Sequence, residues 1–269
     1  AQRLDQRLPV DAVPVELAEL AESLNDMLAR LEESFKRLSD FSSDLAHELR
    51  TPVSNLMTQT QVALSKTRSS AEYREVLESN CEEFERLSRM ISDMLFLAKS
   101  ENGLIVPGTD SFDLADEVAA LFDFYGALAE ENDVTLRLEG SGQVTGDRLM
   151  LRRAIGNLLS NALRYTPPGG RIVVTVSVVR DSSDAETVHL AVENTGEPIP
   201  AEHLSRLFDR FYRVDASRRN SGDGAGLGLA ITRSILRSHG GDIEGRTGEG
   251  CNIFEMWIST SIVTPRSTD

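Results

Sequence analysis

Apolar residues in the first hundred positions recur at alternating spacings of four and three. One series runs Leu17, Ala21, Leu24, Leu28, Leu31, Phe35, Leu38, Ser42, Leu45 and Leu49, with Ser42 its polar member and Phe41 beside it. A period of about 3.5 marks a coiled-coil heptad, narrower than the stripe of a helix lying on a globular core. Pro52 comes next; inside a helix it removes one hydrogen bond and kinks the axis. Helical spacing resumes through Val53, Leu56, Gln59, Val62 and Ala63. Residues 66–70 are polar and read as a hairpin loop. A second series follows: Tyr73, Leu77, Cys81 or Asn80, Phe84, Leu87, Ile91, Met94 and Ala98, ending near Asn102-Gly103. Two long helices and a short loop predict an antiparallel hairpin. One hairpin holds little core, whereas two copies about a two-fold axis make a four-helix bundle, so a homodimer is expected. On periodicity alone the simpler reading is a coiled-coil spacer.

From about Phe112 the pattern changes. Residues 114–131 read as a helix, 134–138 as a strand and 147–164 as a helix with its apolar positions mainly on one side. Residues 171–179 and 188–193 read as strands around a turn at 181–184, 231–238 as a short helix stopped by Gly240-Gly241, and 253–258 as a last strand. This order predicts an α+β sandwich, with helices on one face of a mixed sheet.

The 269 residues suit two or more domains. A net charge of −15 argues against general nucleic-acid binding. Cys81 and Cys251 lack metal-ligand spacing and read as free thiols. No apolar run approaches the roughly 20 residues of a membrane helix, and no segment reads as a signal peptide. The sequence opens on Ala1, and further chain upstream is expected.

With Leu45 and Leu49 at buried heptad positions, His47 falls on the outer face. A lone surface histidine is ordinarily just solvated. An exposed imidazole is also substantially neutral near pH 7, however, and its free lone pair can attack phosphorus. Glu48 can take the ring proton or hold the tautomer. A zinc site of the His-Glu-x-x-His kind is ruled out because Thr51 stands at the fifth position. His189, His203 and His239 are scattered and read as structural or surface residues.

The segment FSSDLAHELRTPVSNL resembles the H box of sensor histidine kinases, with His47 as phosphoacceptor. The resemblance implies that Glu48 assists phosphorylation and that Thr51 orients water when the same protein dephosphorylates its partner.

Four features of the C-terminal half carry further chemistry. Asn157 and Asn161 are four apart on one helix face, followed by Arg164 and Tyr165; amide oxygens are hard ligands suited to Mg²⁺, and NLLSNALRYTP resembles the N box. In VENTGEPIP, covering Asn194, Gly196 and Ile199, Gly196 lets a flat ring approach the backbone and Asn194 can accept from an adenine amino group. This resembles the G1 box, with Asn194 in place of the usual Asp and Pro198 in place of a second Gly. Phe208 and Phe211 resemble the F box and, with Arg213, Arg218 and Arg219, are expected in a lid whose arginines face the γ-phosphate. Gly222, Gly224, Gly226, Leu227 and Gly228 run into a helix, as a phosphate cradle does, without P-loop or Rossmann spacing, and resemble the G2 box. Singly, each could be a polar helix face, a strand-to-loop turn, a basic loop or a glycine linker.

The boxes follow the family's order, and the resemblance spans nearly the whole chain from about residue 10. It implies a dimeric helical-hairpin (DHp) phosphotransfer domain followed by a Bergerat-type (GHKL) α/β sandwich. The expected layout is 1–35, the C-terminal part of a HAMP-like linker; 36–102, dimerisation and phosphotransfer; 103–109, hinge; 110–263, ATP-binding domain; and 264–269, tail. The implied cofactors are ATP and Mg²⁺, with Asn161 on the metal. The implied partners are a second copy and a response regulator receiver domain. Implied too is the cytoplasmic portion of a bacterial inner-membrane protein, anchored by segments outside this chain. ENTGEPIPAEHLSRLFDRFYRVDASR and NALRYTPPGG look closest to the copper/silver-type, heavy-metal branch. Two rivals are a Bergerat ATPase, which uses Glu where Asn157 stands, and a dimeric scaffold with a degenerate nucleotide site.

Overall fold

The computed structural model describes residues 7–8, 15–180, 186–214 and 226–259. The expected turn at 181–184, Arg218, Arg219, Gly222, Gly224 and the tail at 264–269 lie outside these residues. The chain divides into two compact units, Ala1–Leu87 and Ser88–Asp269.

The first unit is built from α1 (Val15–Leu64) and the first part of α2 (Ser70–Glu101). Pro52 is buried inside α1, and the helix continues through it. At the start of α2, Ser69 and Glu72 form a capping box. The backbone N–H and hydroxyl of Ser69 both donate to Glu72 Oε2 at 2.8 Å, and Glu72 N–H donates back to Ser69 Oγ at 3.3 Å. These bonds hold the Glu72 carboxyl below the usual carboxylate range.

The heptad positions divide between two surfaces. Ala21, Leu56 and Ala63 are buried, while Leu17, Leu24, Leu31, Phe35, Leu77 and Phe84 are exposed. On α2 the structure buries Asn80 and exposes Cys81, which settles the choice the spacing left open. The expectation that Leu77 and Phe84 are interior is not met within one chain. Each helix of a single hairpin has one neighbour to cover it, and its second apolar stripe stays bare.

In the second unit, β1 (Asp110–Asp113) pairs antiparallel with β3 (Gln143–Gly146) as a two-stranded ribbon. The main sheet holds β2 (Thr135–Gly140), β4 (Arg171–Arg180), β5 (Glu186–Thr195), β7 (Cys251–Ser259) and β6 (Asp242–Gly248), in the order β2-β4-β5-β7-β6. β2 runs parallel to β4, and the other pairs are antiparallel. Alternate residues bury one face of this sheet, with Ile172, Val174, Leu190, Val192, Met256 and Ile258 at most 1% exposed. Against it lie α3 (Leu114–Glu131), α4 (Arg148–Tyr165) and α6 (Gly228–Ser238), through Leu114, Leu151, Ile155, Ile231 and Ile235. A single turn, α5 (Ala201–Leu204), follows β5.

Four elements were not expected from the pattern. β1 and β3 have four residues each, too few for alternation to register. α5 is one turn. β6 is interrupted by Gly245, where a Cβ would sit 3.3 Å from the Phe254 ring, so glycine there reflects close approach rather than a turn. In addition, α6 begins at Gly228, three residues ahead of the expected start at 231.

Helix starts follow local chemistry. Asp113 caps α3 by accepting from Ala115 N–H at 2.8 Å, and Asp147 caps α4 by accepting from Met150 N–H at 3.0 Å. Buried Glu117 clips α3 to α4 by accepting from Arg148 at 2.6 Å. The last turns of α2 belong to this unit. Arg153 pairs with Asp93 and places its guanidinium 4.8 Å over the Phe96 ring, Leu97 is buried, and Ser234 donates to Ser100 at 2.6 Å.

Candidate nucleotide and phosphoacceptor sites

His47 lies on α1 with its side chain exposed. Glu48 is half-buried, Thr51 is exposed, and Pro52 is buried behind them. The imidazole is therefore open to a reactant, as the outer heptad position requires.

The second unit gathers most of its candidate residues into three linked groups. The first joins α4 to α6. Asn157 Nδ2 donates to Gly228 O at 3.1 Å, and Thr232 Oγ1 donates to the same carbonyl at 3.0 Å. Asn161 is one turn further on the same helix and half-buried. Arg164 and Tyr165 end the helix, both exposed, with the guanidinium 5.8 Å from the ring centroid.

The second group surrounds Asn194, which is only 3% exposed. Its Nδ2 donates to Thr195 O at 3.1 Å and to Thr166 Oγ1 at 3.4 Å. A carbonyl can only accept, so the amide orientation is set, and Oδ1 stays free of partners among the described residues. That oxygen is an acceptor at the end of a strand, suited to an exocyclic amine. Gly196 is held by its N–H donating to Gly250 O at 3.0 Å. A Cβ there would sit 3.1 Å from Tyr165 O and 3.4 Å from the amides of Asn194 and Asn252, so any side chain would crowd them. Ile199 N–H donates to Asn252 Oδ1 at 3.2 Å.

The third group closes around Phe211. Phe211 N–H donates to Gly226 O at 2.9 Å, and both residues have positive φ, +60° and +70°. A Cβ on Gly226 would lie 2.8 Å from the Phe211 carbonyl carbon. Phe208 packs edge-on against Phe254 at 6.5 Å, with the Arg233 guanidinium 5.4 Å over its ring. Arg213 is half-buried and Leu227 is buried.

These groups fit an adenine nucleotide. An oriented acceptor stands beside a side-chain-free backbone, and glycine-bounded turns lead to a helix N-terminus where anions are favoured. A separate concavity lined by Thr135, Arg137, Arg171, Glu193 and Thr195 lies on the other face of the sheet, because Glu193 and Thr195 alternate with Asn194.

Four supporting residues carry no assigned part in the site from sequence: Thr166, the penultimate residue of the N-box-like segment; His239, which reads as structural; and Thr232 and Asn252, which lie in no motif. A readable signal existed for Asn252, an amide in phase with the core-facing Phe254, Met256 and Ile258.

The sequence matches the HAMP domain over residues 1–33, the His Kinase A (phospho-acceptor) domain over 37–103, and the histidine kinase-, DNA gyrase B- and HSP90-like ATPase family over 146–261. Among curated proteins, sensor histidine kinase CusS of Escherichia coli strain K12 is 54% identical over 241 residues, covering 89% of this chain and 49% of that protein. The probable sensor kinase SilS of Salmonella typhimurium is 47% identical over 249 residues, covering 91% and 49%. The chain thus spans about half the length of the curated relatives it matches. Among solved structures, Acinetobacter baumannii histidine kinase AdeS shares the fold with a TM-score of 0.65 at 24% identity, covering 80% of this chain and 98% of that one. Histidine kinase ThkA in its complex with response regulator protein TrrA gives a TM-score of 0.68 at 21% identity, covering 86% and 64%. No helix among the described residues is long and apolar enough to cross a membrane.

Proposed function

Because the chain belongs to the sensor histidine kinase family, we propose that it transfers the γ-phosphoryl group of ATP to its own His47, and from there to an aspartate on a response regulator receiver domain. One observation carries the reading: an exposed imidazole directly followed by a carboxylate, in a chain whose second unit presents an oriented base acceptor beside side-chain-free backbone.

In the first step a neutral ring nitrogen of His47 bonds to phosphorus as the bond to the bridging oxygen breaks and ADP leaves. The second ring nitrogen sheds its proton to Glu48. Asn194 and Gly196 receive the base, with Ile199 at the rim. Phe208, Arg213, Gly226, Leu227 and Gly228 enclose the phosphates, the G2-box resemblance assigns Gly222 and Gly224 the same task, and Asn157, Arg164 and Tyr165 support them from α4. Asn161 would hold Mg²⁺, whose charge offsets that of the moving phosphoryl group. Thr51 serves the reverse task, orienting water for dephosphorylation of the regulator.

The bare second stripe of α1 and α2 supports a homodimer, in which a second hairpin covers Leu77 and Phe84. The HAMP match supports anchoring to a bacterial inner membrane through segments beyond this chain. The resemblance of ENTGEPIPAEHLSRLFDRFYRVDASR and NALRYTPPGG to the copper/silver-type branch supports a response to heavy metals.

The test is incubation with γ-labelled ATP. Acid-labile label on the protein, lost in His47→Ala, is expected. Release of free phosphate alone would identify an ATPase, and no turnover at all a scaffold.

A further inference from the structure

Asn252 is an amide in a place that sequence alternation reserves for apolar side chains. It faces the core from β7 in phase with Phe254, Met256 and Ile258, and is 4% exposed. Burying an amide is costly unless its groups are bonded. Here Oδ1 accepts from Ile199 N–H at 3.2 Å and from Thr247 Oγ1 at 2.9 Å, while Nδ2 donates to Glu197 O at 3.0 Å.

Two of those three partners are main-chain groups of the segment leaving β5. Glu197 and Pro198 are exposed, and residues 197–200 belong to no helix or strand. The segment is held at Gly196 by Gly250 O and at Glu197 and Ile199 by Asn252. Asn252 is also the register partner of Asn194 across β5 and β7. We propose that Asn252 is the positioning residue of the base pocket: its carboxamide fixes the 196–199 backbone beside the Asn194 acceptor and thereby sets selectivity for adenine over other bases. The inference rests on the ATP-site reading above and adds the group that shapes that site.

Opposite polarity at the two main-chain contacts explains why an amide is needed. Glu197 O requires a donor and Ile199 N–H requires an acceptor, and a carboxamide offers both from one side chain. An aspartate would set an acceptor against Glu197 O. An alanine would free both groups. Asn252 itself acts through the loop, so its loss should change how the base is read rather than how the phosphates are held.

The experiment is titration calorimetry of the full chain with ADP and with GDP, for the native protein, Asn252→Ala and the near-isosteric Asn252→Asp, below the melting temperature of each. Losing two main-chain hydrogen bonds should weaken ADP by roughly ten- to a hundredfold. GDP affinity should change little, so the ADP-to-GDP preference collapses. Asn252→Asp, which keeps an acceptor for Ile199 N–H but sets a carboxylate oxygen against Glu197 O, should likewise weaken ADP more than GDP, and it remains informative should the alanine variant unfold. A merely structural role predicts that both affinities drop together, or that neither moves, with the preference intact; either result overturns the proposal alone. Failure of the native chain to bind ADP would instead overturn the ATP-site reading and this proposal with it.

Discussion

His239 joins two helices that carry candidate site residues, and removing it should show how much that junction contributes. Its ring sits at the end of α6. Nδ1–H donates to Ile235 O at 2.7 Å, so Nε2 presents its lone pair and accepts from Asp147 N–H at 2.9 Å. Asp147 in turn caps α4 and accepts from Gly108 N–H at 3.2 Å, in the segment that follows α2. The ring also fills the space over Gly146, where a Cβ would meet Cδ2 at 2.6 Å. Burial pushes the imidazole pKa down, against the weaker upward pull of Ile235 O and the Asp147 carboxylate. His239→Leu keeps an apolar body but leaves Asp147 N–H without an acceptor, a loss of about 1–3 kcal/mol. For a unit of this size, about 2 kcal/mol lowers Tm by roughly 4–8 °C. The pH dependence has a definite sign. The unfolded imidazole takes up its proton near pH 6.5, whereas the folded one resists until lower pH. Between those values the unfolded state binds more protons, so acidification favours unfolding. The stabilisation is whole above the unfolded pKa and fades as pH falls toward the folded one. Thermal melts followed by fluorescence of Trp257, the single tryptophan, from pH 7.5 down to 5.5 read both effects. Comparison with the leucine variant cancels the other three histidines, His47, His189 and His203. Equal melting temperatures at pH 7.5, or parallel pH slopes, would refute the reasoning.

Four other outcomes follow from contacts in the second unit. Burial pushes the Asp93 carboxyl up, outweighing the Arg153 guanidinium, so Asp93→Asn should leave the urea midpoint at pH 7 nearly unchanged. Arg153→Leu, which strips the partner from both Asp93 and Phe96, should lower stability by about 1 kcal/mol or more. Gly226→Ala forces a side chain into a backbone with φ +70° and into the Phe211 main chain; it should cost at least about 1–2 kcal/mol and weaken ADP binding measurably by calorimetry. Asn194→Asp restores the residue usual in the family, yet here it would oppose a carboxylate oxygen to Thr195 O. Lower Tm with no gain in ADP affinity is expected, and tighter binding would contradict the orientation assigned to the amide.

Much of the fold could be read from the pattern because long elements average over local exceptions. α3 coincides with its expected span, and α4 differs by one residue at each end because Asp147 caps the helix and Tyr165 continues it. The elements without a sequence pattern are short or interrupted: the ribbon of β1 and β3, the single turn of α5, and β6 with Gly245 beneath Phe254. The heptads were visible, but which of their positions face the neighbouring helix of the same hairpin was not. A 3.5 period supports two apolar seams equally, and only the structure separates buried Asn80 from exposed Cys81.

The site was legible to a different degree for a related reason. Residues that meet a ligand directly tend to be contiguous, since one stretch of backbone approaches the ligand once. The residues proposed to meet the nucleotide or the phosphoryl group, His47 and Glu48, Asn194 and Gly196, and Gly226 to Gly228, are of this kind. Residues that hold those stretches in place come from wherever the fold brings a complementary group. Asn252 reaches Ile199 across 53 positions of sequence, and His239 reaches Asp147 across 92. Thr232 meets Gly228 within a helix, but its second acceptor, Ala154 O, is 78 positions away. Each of these is a polar side chain at a position where periodicity calls for an apolar one, and each is stable there because main-chain groups satisfy it. A buried polar residue in phase with a hydrophobic run is therefore the sequence trace of a positioning contact, even when its partner is not apparent. Asn80 is the contrasting case: buried on α2, it donates to Thr60 at 3.4 Å while its Oδ1 is unbonded among the described residues, so main-chain groups do not satisfy it. Replacing it with leucine should stabilise the helical hairpin, whereas the same replacement at Asn252 should unseat the loop it holds.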